Sequence, residues 1–282
     1  AYLDSPSDQI YDDFESQVYA DHSLGNPILG TFQSVKEINK SRINSFINRL
    51  YKAENMVFSS VGNISEGRLK KRLEKHFAAL NGRNFSHDRP SFKAQKARVI
   101  KESKNTFQTH CMMGKAVYGA DHPNRLSLIL LNNIIGGPAL NSILNLKLRE
   151  KYGFTYNIES NYAIYSDTGL FSIYLASDPK YMDRCIKVVK RELKLLREKP
   201  LSAAKLHLAK QQLKGQLAIS RESNSSLMLS YAKSLLLHDR IDTIDIIHQK
   251  IDALSAEQLI ETANEHLDFN AFDFLYFEGK SS

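Results

Sequence analysis

Between Asn132 and Pro179 the chain reads NNIIGGPALNSILNLKLREKYGFTYNIESNYAIYSDTGLFSIYLASDP. The hydrophobic period changes within this stretch, and the change decides the fold class. The run Leu126 to Ile135 that enters it is apolar nearly all round, which predicts a buried helix broken at Gly136-Gly137. Leu140, Leu144 and Leu148 recur every fourth residue, so a second helix is expected to end near Gly153. Phe154, Tyr156, Ile158, Tyr162 and Ile164 then alternate with polar residues, the period of a half-buried strand. Ser166-Asp167-Thr168-Gly169 reads as a turn, and Leu170 to Ala176 as the strand that returns beside it.

The pattern extends in both directions. Met182, Cys185, Ile186, Val189, Leu193 and Leu196 form one helical stripe that Pro200 stops; helices continue from Ser202 through His266, and Phe272 to Phe277 closes as a strand. Upstream, Arg98 to Glu102 and Thr106 to Tyr118 read as strands. Further back, Ile10, Phe14 and Val18 mark an amphipathic helix, and Gly25, Pro27 and Gly30 a turn-rich loop. Asn39 caps a helix with Ile43, Phe46, Ile47 and Leu50 on one face. Met56 to Val61 is strand-like, Ser65 to Leu80 is a helix ending at Asn81-Gly82, and Arg83 to Ala97 is polar without periodicity. The expected architecture is α+β, a mostly antiparallel sheet with helices packed on one face. Shifting the chain by 216 residues lays Val35, Ile38, Ile43, Tyr51 and Phe58 on Ile251, Leu254, Leu259, Leu267 and Phe274. That echo predicts tandem related lobes of which the first is truncated. The expected division is 1–82 for the end of the first lobe, 83–95 for a linker and 96–282 for the second.

Bulk properties exclude more than they assign. A chain of 282 residues with 42% hydrophobic and 24% charged residues suits two packed units rather than disorder. No apolar run approaches the roughly 20 residues of a membrane span, so a soluble chain without a membrane partner is expected. The opening Ala-Tyr-Leu-Asp-Ser-Pro is not a secretory signal and lacks an initiator Met, placing the natural amino terminus elsewhere. The net charge of +7 is thinly spread; its densest stretch, Lys187 to Lys194, shares a helix with Glu192 and reads as a solvated face. Without interleaved aromatic and basic residues, no nucleic-acid partner is expected. Cys111 and Cys185 form no CxxC motif, and Cys185 lies on the apolar side of its helix as a buried, inert thiol.

No HxxEH, HExxH or HxxxH pair occurs among the nine histidines. Glu265-His266 has Thr262 three places before Glu265, and Glu74 and His76 are too close to share a helix face. The chain is therefore expected to hold no metal and to lack both zinc ligands and a catalytic base. There is no GxSxG and no phosphate-binding glycine loop.

The stretch from Asn132 to Pro179 resembles the second domain of pitrilysin/insulinase-family zinc peptidases, of the bacterial, mitochondrial-processing-peptidase-like type. The shared features are the Gly-rich helix break, the LREK-like helix end, Gly-aromatic-x-Tyr and the hairpin with Asp-x-Gly. Residues 4–62 resemble the end of that family's first domain in the same order: Asp4-Ser5-Pro6, Asp21-His22-Ser23-Leu24-Gly25, Pro27-Ile28-Leu29-Gly30, then Tyr51-x-Ala-x-Asn55-Met56 and Gly62. Ser23 stands where the family usually has Pro. The resemblance implies two lobes closing like a clamshell over a peptide substrate, with zinc held in the parent enzyme by an HxxEH segment upstream of Ala1. It also implies that Arg149 and Tyr156, seven residues apart, reach the substrate's carbonyl. On the residues alone, Arg149 is a solvated helix-end residue and Tyr156 a half-buried strand residue. Further implications are a homo- or hetero-oligomer with another family lobe and a bacterial cytoplasmic or periplasmic location. The alternative is a non-catalytic family member serving as partner subunit or scaffold.

Overall fold

The computed structural model describes residues 5–78 and 90–279. In chain order the elements are α1 (Pro6–Val18), α2 (Phe32–Glu37), α3 (Lys40–Leu50), α4 (Glu66–Phe77), β1 (Val99–Lys104), β2 (Thr109–Val117), α5 (Arg125–Gly136), a π-helix (Asn145–Lys151), β3 (Asn157–Ile164), β4 (Gly169–Ser177), α6 (Pro179–Glu198), α7 (Ala203–Ser220), α8 (Asn224–His238), α9 (Ile244–Asp252), α10 (Ala256–His266) and β5 (Asp273–Gly279). One five-stranded sheet runs in the order β1-β5-β2-β4-β3. Only β1 and β5 pair in parallel; the other pairs are antiparallel.

The pleat sends alternate residues to opposite faces, and the register shows which. Cys111, Leu175, Ile158 and Tyr276 align on the side that α5, α6 and α10 cover. Met112, Tyr174 and Leu275 align on the other, where Ile10, Phe14 and Val18 of α1 complete a core with Phe277 and Tyr19. The helical layer expected on one face is present, and α1 adds cover on the second. Gln17, 6% exposed, ties α1 down by donating from Nε2 to Arg98 O at 3.1 Å and to Phe274 O at 3.2 Å. Burial on both faces explains why every residue of β4 is buried.

By packing, the chain divides into two units. One comprises Ala1–Ile28, Ser91–Lys214 and His248–Ser282; the other comprises Leu29–Pro90 and Gly215–Ile247. Sequence order places α1 with residues 29–82, whereas its apolar stripe is buried on the sheet of residues 99–279. The interval expected as a linker lies partly outside the described residues, at 83–89, as do Asn81-Gly82 and the end of the helix expected to reach Leu80. From Pro90 on it is anchored, with Phe92 edge-on to Tyr19 at 4.8 Å and Gln95 Nε2 donating to Ala20 O at 2.8 Å.

Three local expectations are corrected. Met56 to Val61 forms no strand, because no described segment pairs with it. The strand expected from Phe154 begins only at Asn157, leaving Tyr156 79% exposed rather than half-buried. The turn-rich stretch after Gly30 includes a further short helix, α2, closed by a reciprocal Thr31–Ser34 capping box. The echo between the halves is reproduced in detail. α3 and α10 have the same length at an offset of 216 residues, each capped by the residue before it, Asn39 or Ser255. A one-turn 3₁₀ helix follows at the same offset in both, Ala53–Asn55 and Phe269–Ala271. Beyond it the second copy becomes β5, while the first pairs with no described segment.

Candidate substrate-contacting site

The connection from α5 to β3 carries both residues singled out in the sequence. Gly136 ends α5 against β3, where a Cβ would stand 2.8 Å from Ser160 N, so only glycine permits the approach. Ser160 Oγ donates to Asn132 O at 2.9 Å, fastening the same crossing. The chain re-enters helical geometry with the wider π-turn, a form often found at functional positions. Leu144 and Leu148 fill the core from this segment, while Arg149 points outward with its side chain 41% exposed and Nε 3.6 Å from Glu150 Oε1.

Gly153 then turns the chain with φ +60°, a left-handed geometry that favours glycine. Its N–H donates to Arg149 O at 3.2 Å. Three rings hold the turn: Tyr152 stacks on Phe154 at 5.2 Å, and Phe154 on Tyr181 at 4.9 Å. Ser177 Oγ donates to Phe154 O at 2.6 Å, and the buried Thr155 hydroxyl contacts Ala176 O while accepting from Asn157 N–H at 3.2 Å. With Phe154 and Thr155 fixed, Tyr156 projects into solvent one residue before β3. Arg149 and Tyr156 are thus placed at the two ends of one braced turn. No hydrogen bond joins them. Gly153 and Phe154 are legible in the sequence as a helix end and a strand residue, whereas no local pattern marks Thr155, Ser177 and Tyr181 as braces of the turn.

A second group of polar side chains gathers where β2 ends beside α10. The Tyr118 ring stacks on His122 at 3.5 Å and meets His266 edge-on at 4.0 Å, and its hydroxyl donates to Glu265. Burial, with the Glu265 carboxylate next, pushes the Tyr118 phenol up to about 12. Burial likewise drives His266 down to about 4, against a smaller opposing pull from Glu265. Among the described residues, no group of three or more His, Cys, Asp or Glu side chains could hold a metal ion. Both cysteines are free and buried, and burial raises both thiols, so they are poor nucleophiles.

Residues 37–213 match the family described as "Peptidase M16 inactive domain". A Bacillus subtilis protein described as "Uncharacterized zinc protease YmxG" is 30% identical over 260 residues, covering 92% of this chain and 62% of its own length. A Mycobacterium leprae protein described as "Uncharacterized zinc protease ML0855" is 27% identical over 270 residues, covering 94% and 60% respectively. The chain therefore spans less than two thirds of these relatives. A solved M16 inactive domain from Pseudomonas fluorescens superimposes with TM-score 0.85 at 18% identity, over 100% of this chain and 68% of that one. A protease from Helicobacter pylori superimposes with TM-score 0.86 at 18% identity, over 98% and 68%. At such identities the structures establish a shared fold.

Proposed function

The chain belongs to the peptidase M16 family, and on that premise we propose that it is the substrate-gripping portion of a longer zinc peptidase. In this reading residues 1–82 are in sequence the tail of the metal-bearing lobe, although α1 packs on the sheet of the other, 83–95 the linker, and 96–282 the second lobe. Relatives described as zinc proteases that extend beyond the matched region support it. So does the first copy of the repeat: α2, α3 and α4 bury no residue, and Ile43, Phe46, Met56 and Phe58 lie exposed where their second-copy counterparts are core. Such faces suit a lobe whose sheet comes from elsewhere. The described residues offer no three-ligand set, so no step at the metal is assigned to them.

The observation that carries the role is the braced turn presenting Arg149 and Tyr156. A guanidinium and a phenol are strong donors, suited to a peptide carbonyl oxygen as it gains charge. Arg149→Ala and Tyr156→Phe in the longer protein each remove one such donor, worth on the order of 10²–10³ in turnover. Both residues are outward-facing, so melting temperature should stay level. Near-normal turnover in both variants retires the role. A longer protein that holds no zinc and cleaves no peptide supports the partner-subunit alternative instead.

A further inference from the structure

The outer side of α6 is not accounted for by the reading above. Its inward positions, among them Cys185, Val189 and Leu193, are buried, so one arc of the helix faces solvent along its whole length. That arc carries Lys180, Arg184, Lys187, Lys190, Arg191 and Lys194, with the acids Asp183, Glu192 and Glu198 beside them, an excess of three positive charges. Arg191 pairs with Glu192 at 2.7 Å and Lys194 with Glu198 at 3.5 Å, while Arg184, Lys187 and Lys190 make no ion pair among the described residues, so the arc is only partly neutralised. With about 1.5 Å rise per residue, twenty residues give a rail roughly 30 Å long, the reach of about nine extended residues.

At its carboxyl-terminal end the rail opens into a hollow of about 430 Å³ between α6 and the turn from α10 to β5. Lys190, Lys194, Arg197 and Glu198 line one side, and Asn264, Asp268 and Asn270 the other. Lys190 Nζ lies over the Phe269 ring at 5.4 Å. Arg197 donates from Nη1 to Asp268 Oδ1 at 3.1 Å, while its Nε–H is buried without a partner. Nε thus has hydrogen-bonding capacity that Asp268 does not use, although turning the guanidinium breaks the Nη1–Asp268 pair. The six cations of the arc and Arg197 outnumber the four acids beside them, Asp183, Glu192, Glu198 and Asp268.

We propose that α6 and this hollow form a docking surface for an acidic, extended segment of a partner protein. The occupant follows from shape as well as charge. A lipid surface is flat and does not enter a hollow at the end of a rail. Tyr181 flanks the start of the arc under Lys180 and Phe269 lies under Lys190 in the hollow, too few rings for a run of stacked bases, the usual complement to charge in single-strand binding. Carboxylates spaced along an extended chain meet both features, and Arg and Lys pair with them well.

The test is fluorescence anisotropy of a labelled short oligoglutamate with the whole chain, at roughly 50 mM and 300 mM salt, which straddles the screening range of such contacts. The expected result is saturable binding at low salt that weakens at least about tenfold at high salt. Lys190→Glu with Lys194→Glu should weaken it about tenfold, roughly 1.4 kcal/mol. Lys40→Glu with Lys70→Glu changes net charge equally at exposed positions elsewhere and should leave it within about twofold. Absence of saturable binding overturns the proposal, as does equal loss in the two double variants. So does tighter binding of oligothymidylate or of phosphatidylglycerol vesicles through the same lysines. None of these outcomes depends on peptidase activity, so failure here is separate from failure of the proposed role of Arg149 and Tyr156.

Discussion

His266 shows most plainly how one side chain can couple this fold to its solvent. Its side chain is 7% exposed, neither ring nitrogen has a hydrogen-bond partner, and Glu265 Oε1 stands 3.8 Å away, too far to bond. An unfolded histidine takes a proton near pH 6.5; this one does so only near 4 in the fold. Between those values the unfolded chain binds more protons, so stability rises with pH there by at most about 1.4 kcal/mol per unit for one group. His110, lowered by burial, acts in the same direction. The urea midpoint should thus be full above about pH 6.5 and fall as pH drops toward 4. His266→Leu should flatten that slope, and an unchanged slope contradicts the assignment. Nothing local in Glu265-His266 announces this burial. It arises because α10 ends beneath Tyr118, more than a hundred residues earlier in the chain.

Among the elements, α1 departs most from its place in the sequence. Its stripe of Ile10, Phe14 and Val18 is legible as a period, and a period says only that some partner exists. The partner is the face of β2, β4 and β5 turned away from the other helices. Phe14 is fully buried there, so Phe14→Ala should cost about 3–5 kcal/mol, read from the urea midpoint with near-ultraviolet dichroism as a second probe. A loss below about 1 kcal/mol would mean that α1 is not docked on the sheet in solution. The π-helix is a comparable case. Leu140, Leu144 and Leu148 predict a helix, and the widening at Asn145–Lys151 that sets the direction of Arg149 has no signature in that spacing.

At the scale of the whole molecule the two packing units differ in how completely they are buried. The unit holding the sheet buries most of β2 and all of β4, while α2, α3 and α4 of the other expose Phe32, Ile43, Phe46 and Phe77. Local opening follows buried apolar contact, so amides of α3 should exchange with deuterium orders of magnitude faster than those of β2 and β4. Matched exchange rates would show that the exposed faces are covered in solution. The sequence alone determined most element types, the turn at Ser166–Gly169, the caps at Asn39 and Ser255, the repeat and the family, because each depends on residues within a few turns of one another or on their order. Tertiary structure decided that α1 crosses to the sheet, that Met56–Val61 pairs with no described segment, that His266 is buried neutral and that Tyr156 stands in solvent. Those outcomes depend on which distant surfaces meet, and a hydrophobic period records the need for a partner without recording which one.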